Sequence, residues 1–245
     1  MKKILLSSVV LMSLTTNVFA CLIPSYTAVY NFSGEATGRS TVQLSGENGG
    51  YSYSSITNAK KLFFKGKFIK NSQGKMIESG FYTSKYQVNE GFNNVSYSVE
   101  FDNVKNRITS TQGNKKFHIP FPKDKKIIGK LIFTSQLQLM LIRNSSLKQV
   151  TINAAFHKKD AKMEFITLEF NIKNDEKINT PLGEFNTKVF SANYKFERND
   201  MQIRYWFTDD DRKLLVRSEI YVNGKVAEKN DIVSYQIGKT CVVEN

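Results

Sequence analysis

The chain has 245 residues, and its 35 lysines and arginines against 22 aspartates and glutamates give it a net charge of +13. The excess positive charge would attract anionic molecules, but no arginine-rich helix or nucleic-acid motif accompanies it. Because the lysines are scattered along the chain, a solvated surface is the first interpretation of this charge. An anionic lipid or glycolipid is the candidate partner, and we expect no nucleic acid.

Residues 1–20 have the three parts of an export signal. Two lysines form the positive start, an apolar stretch follows, and Val18 and Ala20 occupy positions −3 and −1 before Cys21. The apolar stretch is too short to cross a bilayer, which takes about 20 residues. We predict cleavage between Ala20 and Cys21. Residues 21–245 would then form a single β-rich domain with 33 basic and 22 acidic residues, a net charge of +11, and no transmembrane segment.

Cys21 allows two fates for the exported chain. Lipoprotein processing requires a cysteine at this position, and it would anchor the protein to the outer or inner membrane, but the bulky Phe19 does not fit that signal. An even cysteine count in an exported protein favours a disulfide with Cys241 and a free periplasmic protein. Such a bond needs Cα atoms within about 7 Å of each other. A strand that begins near Tyr26 must then be the neighbour of one that ends near Ile237.

Alternating apolar and polar residues dominate the chain after the signal. This period indicates strands at three places in particular: 26–32, 95–102 and 164–170. Asn223-Gly224, between two apolar runs, predicts a tight hairpin. Residues 135–144 instead show helical spacing, with Ser135 as the expected N-cap. We predict a mainly β single domain, either a curved antiparallel sheet or an open or closed β-barrel, with one short helix.

Two segments in the C-terminal half carry a family resemblance. Residues 178–189 contain Thr-Pro-Leu-Gly, and residues 205–219 run from Tyr-Trp-Phe to Val-Arg-Ser-Glu. Both resemble segments of exported bacterial proteins in the domain of unknown function 3108 family. The chain departs from the family pattern at Leu215, where a proline is usual. The resemblance implies an exported, mostly antiparallel β protein whose activity is not established.

Tyr205 and Trp206 are the candidate residues of a ligand groove. Trp206 is the only tryptophan. A lone tryptophan in a strand also packs commonly in a protein core, so that interpretation stays open beside the groove.

Catalytic motifs are absent from the sequence. His118 and His157 are the only histidines, and neither has another ligand at metal-binding spacing. We expect His118 to be exposed and 209–211 to form an acidic turn. We therefore name no catalytic residue, no metal and no cofactor. A hydrolase with dispersed carboxylates leaves no local signature and is the weaker alternative.

Two non-catalytic functions fit better. The first is an envelope protein that binds an amphiphilic or lipid-like ligand in its curved sheet, which the 18 phenylalanines and 11 tyrosines favour. The second is a scaffold or assembly factor that binds protein partners. A lined cavity would favour the first, and a filled core with an exposed apolar patch would favour the second. The oligomeric state is left open.

Overall fold

A computed structural model of the chain describes residues 21, 23–47, 49–77, 80–91, 95–102, 104–121 and 126–242. The predicted signal, including Ala20, lies outside this part. The described residues form fifteen strands and one α-helix, α1 (Phe133–Arg143). The strands are β1 (Ile23–Gly34), β2 (Thr37–Glu47), β3 (Gly50–Lys61), β4 (Phe64–Ile77), β5 (Gly80–Glu90), β6 (Val95–Asp102), β7 (Arg107–Gln112), β8 (Lys115–Pro120), β9 (Ile127–Gly129), β10 (Gln149–His157), β11 (Met163–Thr180), β12 (Gly183–Phe196), β13 (Asn199–Thr208), β14 (Leu215–Val222) and β15 (Lys225–Val242). The predicted fold class, mainly β with one short helix, is confirmed.

All of these strands belong to one sheet in the order β8-β7-β6-β5-β4-β3-β2-β1-β15-β14-β13-β12-β11-β10-β9. Neighbours are antiparallel, apart from the parallel pair of β9 and β10. The pairing of β1 with β15 brings Ile23 next to Val242, and Tyr26 lies directly opposite Ile237. Beside this pairing Cys21 and Cys241 form a disulfide, with Cα atoms 5.4 Å apart.

The two edges of the sheet overlap and are not joined by a strand ladder. Short β9 lies against β5, where the amide of Gly129 donates to Oγ1 of Thr83 over 3.0 Å. The Tyr86 hydroxyl of β5 donates to the carbonyl of Ala155 in β10 over 3.5 Å. Ala154 belongs to the main core, whereas its neighbour Ala155 belongs to a second apolar cluster between β10 and strands β5 to β7. The sheet is therefore a barrel-like spiral.

Helix α1 lies inside this spiral. The side-chain oxygen of Gln136 accepts a hydrogen bond from the Phe81 amide of β5 (2.8 Å), and the side-chain amide of Gln138 donates to the Arg212 carbonyl after β13 (2.9 Å). These bonds fix the helix between two different walls. No helix in the described ranges is long and apolar enough to cross a bilayer.

The predicted N-cap of the helix is wrong. Ser135 is not the N-cap: the helix begins at Phe133, and Ile132 precedes it without a side-chain cap. Ser135 is fully buried within the first turn. The apolar surroundings of the interior, and not a serine cap, therefore determine where this helix starts.

The antiparallel order gives the barrel two distinct ends. The disulfide end carries Cys21–Cys241 together with the turns after β2, β4, β6, β11 and β13. The opposite end, which we call the hairpin end, carries the turns after β1, β3, β5, β7, β10, β12 and β14.

Candidate functional site

The side chains on the inner face change from buried to half-buried between the two ends. At the disulfide end the inner side chains are buried, as for Met76, Phe81 and Phe207. Towards the hairpin end the inner side chains of the same or neighbouring strands are only half-buried. We call this half-open part of the interior the mouth, and define it by Phe32, Tyr53, Phe68, Lys70, Tyr194, Phe196, Ser218, Glu228 and Asn230. Helix α1 is bonded to the walls near the disulfide end, so the mouth is the more exposed part of the inner face.

An aromatic wall forms one side of the mouth. Phe156 of β10 lies between the start of α1 and the opening: its ring centroid is 5.8 Å from that of Phe133. On its other side it lies 5.8 Å from Tyr194 and 5.6 Å from Phe196. Lys158 places its amine 5.8 Å from the centre of the Phe196 ring at the rim. The wall therefore presents apolar ring faces, and the amine of Lys158 at their outer edge is paired with the Glu164 carboxylate, 2.7 Å away.

Polar side chains of β14 and β15 line another side of the mouth. The amide group of Asn230 donates to Glu228 over 2.8 Å and to the Ser218 hydroxyl over 3.2 Å. These bonds hold the Glu228 carboxylate in place on the inner face. An apolar wall and a fixed polar group within one opening are the combination that an amphiphilic molecule requires.

Tyr205 lies beneath the mouth, and the pKa of its hydroxyl depends on the residues around it. Burial raises the pKa of Tyr205, and the nearby Tyr194, Glu228 and Tyr53 raise it further. Burial also raises the pKa of Tyr194 to about 12. These phenols are therefore neutral at physiological pH and can donate hydrogen bonds.

Trp206 does not share this position with Tyr205. Consecutive residues of a strand face opposite sides, and Trp206, which is 2% exposed, lies on the outer face of β13. Its indole N–H donates to Glu176 over 3.1 Å, and the Arg204 and Arg217 guanidinium groups lie 5.0 and 5.9 Å from its ring. The β11–β12 hairpin covers this face. The two residues of the predicted groove therefore lie on opposite faces of β13, and Tyr205 is the one on the side of the mouth.

The two segments of the family resemblance pack on each other at this hairpin. The Arg217 guanidinium donates to the Asn179 carbonyl over 2.8 Å and to Asp231 over 2.5 Å. The Leu182 amide donates to the Ile232 carbonyl over 3.3 Å. These contacts fold the hairpin back over β13 to β15, which gives both segments a structural role.

In the part of the chain that the structure describes, neither histidine has a hydrogen bond or ion pair with an acidic side chain. His118 is exposed, with Nδ1 2.9 Å from the Thr109 hydroxyl. His157 stacks on Tyr97 with ring centroids 3.6 Å apart, and burial followed by the charge of Lys130 lowers its pKa to about 4. Within the described ranges no group of three or more histidine, cysteine or acidic side chains is placed to hold a metal.

The sequence analysis missed the mouth residues Tyr53, Tyr194 and Glu228. In the sequence, only the alternation of apolar and polar residues indicates that these side chains point inwards. That alternation does not distinguish the mouth from any other inner position. It also missed Leu62-Phe63-Phe64, the tip of the β3–β4 hairpin, which is the most exposed apolar run among the described residues. Here the signal was available: three large apolar residues between pairs of lysines.

The fold has counterparts among solved structures. It is similar to a β-barrel-like protein of the domain of unknown function DUF1849 from Brucella abortus, with a TM-score of 0.58, 8% identity, and coverage of 90% of this chain and 100% of that chain. A candidate lipoprotein from Parabacteroides distasonis matches with a TM-score of 0.39, 10% identity, and coverage of 88% and 98%. No curated protein matches the sequence. The model of the family described as "Protein of unknown function (DUF3108)" matches residues 25–226, and the chain belongs to that family.

Proposed function

We propose that this protein is a non-catalytic binding protein of the cell envelope that takes an amphiphilic, lipid-like molecule into the mouth of its barrel. The observation that carries the proposal is the half-buried inner face at the hairpin end, which contains aromatic rings, a fixed carboxylate and neutral phenols. An acyl or other apolar chain would pack against Phe156, Tyr194 and Phe196. Its polar group would remain at the rim, near Lys158 and solvent.

The choice of ligand follows from the chemistry of the opening. Aromatic side chains gain free energy by covering apolar surface, and half-exposed rings still have surface to cover. A purely apolar ligand would leave Glu228 and Asn230 without water, which is costly. An amphiphile meets both conditions, because its polar part can stay beside these groups or in solvent.

Export to the periplasm is part of the proposal. It is supported by the signal pattern of residues 1–20 and by the Cys21–Cys241 disulfide, since such bonds persist in oxidising compartments. A chain processed with its disulfide intact would be free in the periplasm. The alternative fate, lipid attachment at Cys21, would leave Cys241 unpaired.

Binding of 11-(dansylamino)undecanoic acid tests the mouth directly, because the dansyl fluorescence of this amphiphile rises in an apolar site. We expect saturable binding to the disulfide-bonded chain, weakened about tenfold by Tyr194→Ala or Phe196→Ala through the loss of one covered ring. Lys195→Ala is the matched control. It lies between these residues on the outer face of the same strand, and its side chain is 87% exposed.

Native mass spectrometry of protein purified from its own envelope provides the second measurement. We expect a co-purified amphiphile that Phe196→Ala reduces and Lys195→Ala does not. If neither the dansyl probe nor any co-purified amphiphile binds, or if the outer-face control weakens binding as much as the mouth variants, the proposal is wrong.

A further inference from the structure

The tip of the β3–β4 hairpin exposes three consecutive large apolar side chains. Leu62 is 77% exposed, Phe63 95% and Phe64 71%. None of these residues belongs to either apolar core. Their positions contribute nothing to the packing of the barrel, so packing does not explain why apolar residues occupy them.

Backbone geometry does not explain them either. Lys61 pairs with Phe64, so Leu62 and Phe63 form a two-residue turn, and Leu62 adopts a φ of 53°. Leucine is disfavoured in this left-handed region, where glycine, asparagine and aspartate are usual. The same chain uses Asn223-Gly224, with φ of 49° and 78°, in the hairpin after β14 at the same end of the barrel. Leucine at position 62 is thus less favourable for the backbone than asparagine or glycine would be.

Lysines surround the apolar tip. The four nearest in sequence are Lys60, Lys61, Lys65 and Lys67, all on exposed positions of the two strands. The one acidic group in contact with them among the described residues is Glu35 of the adjacent β1–β2 turn, 3.0 Å from the Lys61 amine. An apolar tip within a ring of net positive charge is complementary to a bilayer with anionic headgroups, since the rings enter the acyl boundary and the amines meet the headgroups.

We propose that the Leu62-Phe63-Phe64 tip inserts into the surface of a membrane that carries anionic lipid headgroups. The tip is convex, which suits a deformable bilayer, whereas a protein partner would need a matching cleft. This inference rests on the proposed function for its purpose. The tip and the mouth lie at the same end of the barrel, so insertion would bring the mouth to the source of its amphiphile.

Flotation with lipid vesicles tests the insertion. The processed, disulfide-bonded chain should float with phosphatidylcholine vesicles that contain phosphatidylglycerol, and much less with phosphatidylcholine alone. High salt should weaken the binding, since the screening length falls from about 10 Å at 0.1 M to about 3 Å at 1 M. Neutralising Lys65→Gln and Lys67→Gln should each weaken vesicle affinity about fivefold.

The double variant Leu62→Asn with Phe63→Gly separates folding from docking. It copies the turn residues that the chain itself uses at positions 223 and 224, so we expect an unchanged or higher Tm. Vesicle affinity should nevertheless fall about tenfold or more, because two inserted side chains are lost. Val104→Ser is the matched control: Val104 is 93% exposed at the disulfide end, and its loss should leave flotation unchanged.

Fluorescence quenching tests the insertion independently of flotation, because it reports how deeply the tip enters the bilayer. In a Phe63→Trp variant, brominated acyl chains should quench the new tryptophan, while the buried Trp206 of the unchanged chain should not respond. The proposal is overturned if the chain fails to float with anionic vesicles, if the Asn-Gly variant floats like the unchanged chain, or if the tip binds a protein and not the vesicles. Dansyl binding in solution, without vesicles, should be the same in the Asn-Gly variant, so failure at the tip and failure at the mouth are distinguishable.

Discussion

Replacing Cys21 and Cys241 together with serine should greatly reduce the stability of the fold without changing it. The disulfide joins positions 220 residues apart. In the chain-entropy model, closing a loop of this length in the unfolded state is worth about 5 kcal/mol at 25 °C. Other contacts hold the ends of the folded chain in place: the hydroxyls of Ser25 and Thr240 are 2.6 Å apart, and Tyr26 still faces Ile237.

Urea unfolding followed by circular dichroism measures this loss. The midpoint should fall in the double-serine variant, and reductant should shift the unchanged chain to the same midpoint while leaving the variant unaffected. Far-ultraviolet spectra in the absence of urea should coincide. A loss of stability below about 1 kcal/mol would refute the reasoning, because the unfolded chain would then hold its ends together without the bond. Intact-mass measurement of the unchanged chain checks the premise, since lipid on Cys21 would preclude the disulfide.

Two further predictions concern the half-buried His157 and the buried Trp206. The pKa of His157 is lowered to about 4, so the folded protein holds this group neutral while the unfolded chain takes up a proton below about 6.5. The free energy of unfolding should therefore fall as the pH drops from about 6.5 towards 4, and His157→Phe should remove that part of the dependence; an identical pH profile in the variant would contradict it. Trp206→Ala should lower the free energy of unfolding in urea by about 3–5 kcal/mol, because it removes a packed ring. Trp206→Phe should lower it clearly less. Equal losses in the two variants would mean that the volume of the ring does not determine the stability.

Much of the fold could be predicted because its local signals agree with its tertiary structure. The period of two located strands, and Asn223-Gly224 marked a real hairpin. The two cysteines predicted the pairing of β1 with β15, a contact between chain ends that no periodicity reveals. The predicted helix, 135–144, lies within two residues of the observed one at each end. The prediction missed the first two helical residues, Phe133 and Thr134. Its apolar residues extended beyond one face, which is typical of a helix enclosed on all sides.

The site was less predictable because it depends on which half of the barrel the helix fills. Alternation assigns Phe190 and Tyr194 to the same inner face of β12, yet the first is buried and the second half-exposed. Nothing in their own sequence distinguishes them. Similarly, Tyr205 and Trp206 are adjacent and aromatic. They differ only in the face of the strand: Tyr205 lies beneath the mouth, and Trp206 packs under the β11–β12 hairpin.

The hairpin end is also where local preferences are overridden, and this bears on function. Sequences that specify a fold generally satisfy backbone and burial preferences together, and they depart from them where binding requires it. Leu62 is exposed on a left-handed backbone, and Tyr205 and Glu228 place polar groups on the inner face towards this end. The disulfide end thus carries the enclosed helix and the covalent closure, and the hairpin end carries the two features on which both proposals depend, the half-buried mouth and the exposed tip.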